Sequence, residues 1–196
     1  MIVKETGSDF KPCPAGTHLA RCYGVIGLGT QPTNNPTFRE TFKVLLMWEL
    51  PNERLENGDP FTVSKEYTAS LGEKATLRAH LQSWRGKPFT AEELKGFHLD
   101  KLLNVPCMIT VTHDQNNNGK VYAKVASVTA PLKGTVVPDL TNKPVHYLIE
   151  QGRDKVFEAL PEWIQRKISQ CREWNVDAPA THDHAPEPEL DPSVPF

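Results

Sequence analysis

Most signatures of catalytic chemistry are missing from this chain. Its four cysteines (Cys13, Cys22, Cys107, Cys171) contain no Cys-x-x-Cys pair, which fits reduced thiols better than a disulfide framework. The histidines at 18, 80, 98, 113, 146, 182 and 184 include no metal motif, and His182 with His184 make only a weak pair. No Gly-rich loop is present to cradle a phosphate, so nucleotide hydrolysis is not expected. The acids are scattered without the pairing a two-metal nuclease needs, and no Ser or Cys lies in a nucleophile signature. The expectation is a non-enzyme with no cofactor and no metal. Long apolar runs are absent too: the longest, Val44 to Trp48, is far too short to span a bilayer. The first residues, MIVKETGSDF, carry charge early, so no signal peptide is expected there. A cytoplasmic protein with no membrane partner is the reading.

Basic residues are lacking from the last stretch altogether. Asp177 to Phe196 reads DAPATHDHAPEPELDPSVPF, with acids at 177, 183, 187, 189 and 191 and prolines at 179, 186, 188, 192 and 195. Repeated Pro removes backbone donors, and one sign of charge with little apolar area cannot offset ordering entropy, so this stretch is expected to be disordered. It nevertheless closes on Val194-Pro195-Phe196, an aromatic beside a terminal carboxylate, suited to a partner pocket with an apolar floor and a cationic rim. A tail that merely happens to finish in Phe is the plainer alternative. The chain carries a net charge of −2, and the residues before Asp177 carry +3, from 22 basic and 19 acidic residues. A mildly cationic body joined to an anionic tail allows the tail to compete with a polyanion for the same groove.

With its Asp191, Val194, Pro195 and Phe196, the ending resembles the C-terminal tip of bacterial and phage single-stranded DNA-binding proteins. That resemblance implies a tip that recruits replication, recombination and repair proteins. Pro192 and Ser193 stand where that family has further acids.

The body has room for one domain and a helical extension. Residues 1–16 read as an arm. Thr17 to Leu28 reads as a strand with Ala20, Cys22, Gly24 and Ile26 on one face and Leu19, Arg21, Tyr23 and Val25 on the other. Residues 29–36 are turn chemistry. Phe38 to Leu50 is the strongest strand, with Phe42, Val44, Leu46, Trp48 and Leu50 on an apolar face and Thr41, Lys43, Leu45, Met47 and Glu49 on a mixed one. Asn57-Gly58 marks a hairpin turn before a third strand, Phe61 to Ala69. Ser70 and Glu73 are spaced as a capping box for a helix whose Leu77, Leu81 and Trp84 share a stripe. Thr90 and Glu93 form a second box, with Phe89 and Leu94 placed as its staple. Two more strands, Cys107 to His113 and Lys120 to Val128, flank the turn DQNNNG. Beyond a connector from Pro131 to Pro144, Asp154 to Leu160 and Glu162 to Trp174 read as helices. The second of these has Ile164, Ile168 and Cys171 on one stripe. It is expected to pack outside the main domain or, in a homo-oligomer, on another subunit.

The resulting order, β-β-β-α-β-β, is that of the OB-fold, a five-stranded Greek-key barrel, although a small α+β sandwich has the same order. The fold expectation is therefore mainly β: an arm (1–16), an OB-fold domain (17–132), a connector and helical extension (133–176), and an acidic tail (177–196). The resemblance to phage-type single-stranded DNA-binding proteins spans roughly 17–132 as well as the tip. Segments WELP (48–51), SWRGKPFT (83–90) and KLLNVPC (101–107) are similar to those of phage replication-region proteins. Basic and aromatic residues also share strand faces: Arg21 with Tyr23, Lys65 with Tyr67, Tyr122 between Lys120 and Lys124, and Lys43 on the mixed face of its strand. Unpaired nucleic acid calls for such interleaving, with a cation for each phosphate and a ring for each base. Common Tyr and Lys on half-exposed strands is the plainer account. Trp48 and Trp84 are expected in the core. The favoured reading is a sequence-independent single-stranded DNA-binding protein that coats DNA in replication and recombination. The alternative is a protein-interaction adaptor on the same barrel.

Overall fold

The longest strand, β1 (Gly16–Gln31), lies at the centre of the sheet. The computed structural model describes residues 11–33, 37–116 and 118–175. The expected tail disorder and the tip residues Asp191, Val194, Pro195 and Phe196 fall outside them. Around β1 the order is β3 (Pro60–Thr68), β2 (Thr41–Arg54), β1, β4 (Pro106–Gln115), β5 (Val121–Thr129), all antiparallel. A short β6 (Val145–Tyr147), not foreseen from the sequence, runs parallel to β1. One edge of β1 thus serves two neighbours in turn, β4 along Gly16–Arg21 and β6 along Gly24–Ile26. The two ends of the order approach each other, because Lys65 Nζ on β3 donates to the Val125 carbonyl on β5 at 2.7 Å. No helix among the described residues is long and apolar enough to cross a membrane.

The inner core follows the predicted face of β2: Val44, Leu46, Trp48 and Leu50 are all buried there. The mixed face of β2 is half-exposed at Thr41 and Lys43 and closed beyond them. Leu45 and Met47 are buried in a second core on the outside of the sheet. The predicted alternation of β1 also fails part-way. Its register against β2 slips between Cys22 and Gly24 and again between Gly27 and Gly29. An extra residue in one strand reverses the phase of every side chain beyond it. Ala20 and Cys22 therefore share the inner core with Val25, while Ile26 and Leu28 enter the outer one.

That outer core is completed by the C-terminal extension, α3 (Lys155–Ala159) and α4 (Glu162–Ser169) with a 3₁₀ turn, Arg172–Trp174. The predicted stripe of Ile164, Ile168 and Cys171 is fully buried against Ile26, Leu28, Leu45 and Met47. The single helix expected from 162 to 174 stops at Ser169. The Asn175 amide accounts for part of the stop, donating to the carbonyls of Ser169 (3.1 Å) and Cys171 (2.9 Å).

Between β3 and β4 lie α1 (Thr76–Arg85) and α2 (Ala91–Lys95). The Ser70–Glu73 capping box does not form. Ser70 Oγ instead accepts from Gly72 N at 3.1 Å, a local turn that competes with helix initiation, and α1 begins after an uncapped Ala75. Its Leu77, Leu81 and Trp84 are buried as the stripe requires, with the Trp84 and Trp48 rings 6.1 Å apart. The Thr90–Glu93 box does form. Phe89 meets Phe97 edge-on at 5.2 Å, while Leu94 is exposed.

Gly29 is where β1 meets the extension. Its φ is +74°, and an added Cβ would lie 2.6 Å from Cys171 Cβ. Gly29→Ala is expected to destabilise the protein by about 2 kcal/mol or more through overpacking and backbone strain. Urea unfolding measures it; a wild-type midpoint would contradict the close docking.

Candidate nucleic-acid interface

The residues singled out as nucleic-acid ligands separate into two groups. The first lies at the β3 edge. An open cleft of about 760 Å³ is lined by Lys43, Lys65, Glu66, Tyr67 and Thr68 from β2 and β3, by Ser70 and Gly72 to Ala75 from the loop entering α1, and by Thr76 and Leu77 of α1. Lys43 Nζ donates to Thr68 Oγ1 at 2.8 Å, across a paired position of the β2–β3 ladder. Lys65 sits where the sheet curls together, its ammonium 5.8 Å from the Tyr67 ring centroid. Burial, and the charge of Lys124 nearby, hold its pKa below the ordinary lysine range. Lys124 and Tyr122 project from β5, and Asp114 joins them: it accepts from Lys124 Nζ at 3.2 Å and from Tyr122. Tyr122 is 40% exposed, a ring open to a stacking partner. Lys120 stands at the hairpin turn, where its backbone N–H donates to Asn116 Oδ1 at 2.9 Å.

Tyr67 differs from the others in this group. It is 3% exposed, and its hydroxyl is 2.8 Å from His80 Nδ1. Burial pushes the Tyr67 phenol far up, and burial together with Lys65 holds the His80 imidazole below its usual value. A ring so enclosed offers no face to a base.

The second group, Arg21 and Tyr23, lies on the outer face of β1 and is engaged within the protein. Arg21 donates to the carbonyls of Asn104 (2.8 Å), Val137 (2.7 Å) and Pro138 (3.0 Å), and Asp139 lies 3.9 Å away. Burial pushes the Tyr23 phenol up to about 12, against a hydrogen bond with Thr62. Opposite Arg21 in the ladder is Glu49, which is fully buried. Its carboxylate accepts from Thr141 N (2.9 Å), Asn142 N (2.7 Å) and Asn142 Nδ2 (2.7 Å). Burial alone would raise its pKa; these donors outweigh burial and hold it below the ordinary range.

No protein-family model matches the chain, and no curated protein matches it either.

Three residues escaped the sequence reading. Lys74 lines the cleft, but the false capping box placed it inside a helix. Glu66 also lines the cleft, and its partner Lys167 is too distant in sequence to be paired by any local pattern. Glu49, an acid on a strand rich in apolar residues, was the one signal that a buried charge needed partners.

Because its native pKa is depressed, the stabilisation from Glu49 is fully present above the ordinary value of 4.5 and is lost as pH falls through the lower native value. Glu49→Gln is expected to cost about 1–3 kcal/mol near neutrality, since buried donors lose their acceptor. It is also expected to flatten the acid limb of the stability profile. Urea midpoints from about pH 3 to about pH 7 read both effects; an unchanged acid limb would contradict the assignment.

Proposed function

We propose that this protein binds single-stranded DNA without sequence preference, on an OB-type barrel, and acts in replication and recombination as a coating protein. The observation that carries the reading is the run of cations and one open ring along the β3–β5 side. Lys43, Lys65 and Lys74 line one cleft, Lys65 reaches the Val125 carbonyl of β5 one residue beyond Lys124, and Tyr122 shares Asp114 with Lys124. Phosphates would exchange counterions for these ammonium groups, and a base would stack on Tyr122.

The strand order, with helices between β3 and β4 and with β3 closing toward β5, supports the OB assignment. OB-folds bind strands across their second and third strands and flanking loops. Here the outer face of β1 and β2 is occupied by α3 and α4, so the site is assigned to the β3 edge and the β4–β5 hairpin. Tyr67, Tyr23 and Arg21 are given structural roles in this reading. Recruitment of partner proteins through Val194-Pro195-Phe196 rests on the resemblance of that ending alone.

Fluorescence titration with an oligothymidine at two salt concentrations tests the proposal. Affinity is expected to fall with salt at a log–log slope of roughly −0.7 per phosphate contact. Tyr122→Ala is expected to weaken binding by about 1–3 kcal/mol with little change in that slope. Absence of binding at low salt, or salt-independent binding, contradicts the reading. Deleting residues 187–196 is expected to leave DNA affinity unchanged or raised while abolishing partner recruitment; a clear loss of affinity would contradict the role given to the tail.

A further inference from the structure

Lys167 brings the C-terminal extension to the cleft. Glu66 of β3 lines it beside Lys43 and Lys65, and a carboxylate there would repel the phosphates those lysines attract. Glu66 is ion-paired with Lys167 of α4, a residue that arrives from the opposite end of the chain. The backbone that carries Lys167 is fixed. Its neighbours Ile164 and Ile168 are fully buried, and its carbonyl accepts from Gln31 Nε2 at 3.1 Å. The same Gln31 amide donates to Leu28 O at 2.6 Å, tying α4 to the end of β1. Glu73 is the other acid lining the cleft, and Lys74 adjoins it in the loop.

A partly exposed pair of this kind contributes little to folding stability. Its effect on a polyanion is another matter, because one uncompensated carboxylate beside bound phosphates shifts affinity several-fold at surface dielectric. We infer that Lys167 is a positioning residue of the cleft, neutralising Glu66 so that this carboxylate does not oppose Lys43 and Lys65 on nucleic acid. The extension then sets the affinity of a site it does not itself form. This role rests on reading the cleft as the nucleic-acid site.

The test is a double-mutant cycle in oligothymidine affinity at low salt. Lys167→Gln is expected to weaken binding by about three- to ten-fold. Glu66→Gln is expected to bind as tightly as wild type or tighter, and the double variant to match Glu66→Gln. Lys167→Arg, which keeps the charge, is expected to retain wild-type affinity even if Lys167→Gln loosens α4. An unchanged affinity in Lys167→Gln overturns the inference. So does a loss that persists in the Glu66→Gln background, because Lys167 would then act by direct contact or through damage to the fold. A loss in Lys167→Arg equal to that in Lys167→Gln overturns it as well. Wild-type protein that does not bind at all rejects the cleft reading itself, and this role with it.

Discussion

Arg21 and Glu49 face each other across the β1–β2 ladder, and both are hydrogen-bonded to the same stretch of connector, Arg21 as donor and Glu49 as acceptor. Arg21 takes its carbonyls, from Val137 and Pro138; Glu49 takes its N–H groups, from Thr141 and Asn142. A segment without regular structure thereby has its backbone polar groups satisfied against the sheet. The same bonds compensate the burial of Glu49, whose desolvation would otherwise be severe. From this anchor the chain runs as β6 beside β1 and then into the helices of the outer core.

The consequence for function is one of access. With Ile26, Leu28, Leu45 and Met47 covered, the middle of the outer face is closed, and the polar surface that carries cations is displaced to the edge where β3 approaches β5. Lys65 belongs to both sides of this arrangement. It bridges the two strands through the Val125 carbonyl, and its position near Tyr67 and Lys124 makes it the centre of the cationic run. Structure and proposed binding therefore share a residue, so substitutions there mix the two effects. Tyr122, exposed on the hairpin, does not have that ambiguity.

Much of the architecture was legible in the sequence because it is written in local periodicity. The apolar face of β2, the Asn57-Gly58 turn, the Thr90–Glu93 box and the helical stripes of α1 and α4 each involve residues a few positions apart. Where the reading failed, the decisive contact was non-local or the period was broken. The β1 slips near Gly24 and Gly29 reversed the inferred faces, and three residues of β6 carry too short a pattern to register. For the candidate site the same rule holds. Lys43, Lys65, Tyr122 and Lys124 were found as basic and aromatic residues on strands, yet nothing local could tell that Arg21 would be drawn to a connector more than a hundred residues away. Nor could it tell that Tyr67 would close on His80.

In the proposed function, unpaired DNA runs along the β3–β5 side and not over the outer face of β1 and β2. Chemical-shift mapping of the full chain with an oligothymidine measures this directly. Perturbations are expected to concentrate at Lys43, Lys65, Lys74, Tyr122 and Lys124, with the signals of Ile164, Ile168 and Leu45 undisturbed. Perturbations centred on α3 and α4, or on Arg21 and the connector it holds, would contradict it.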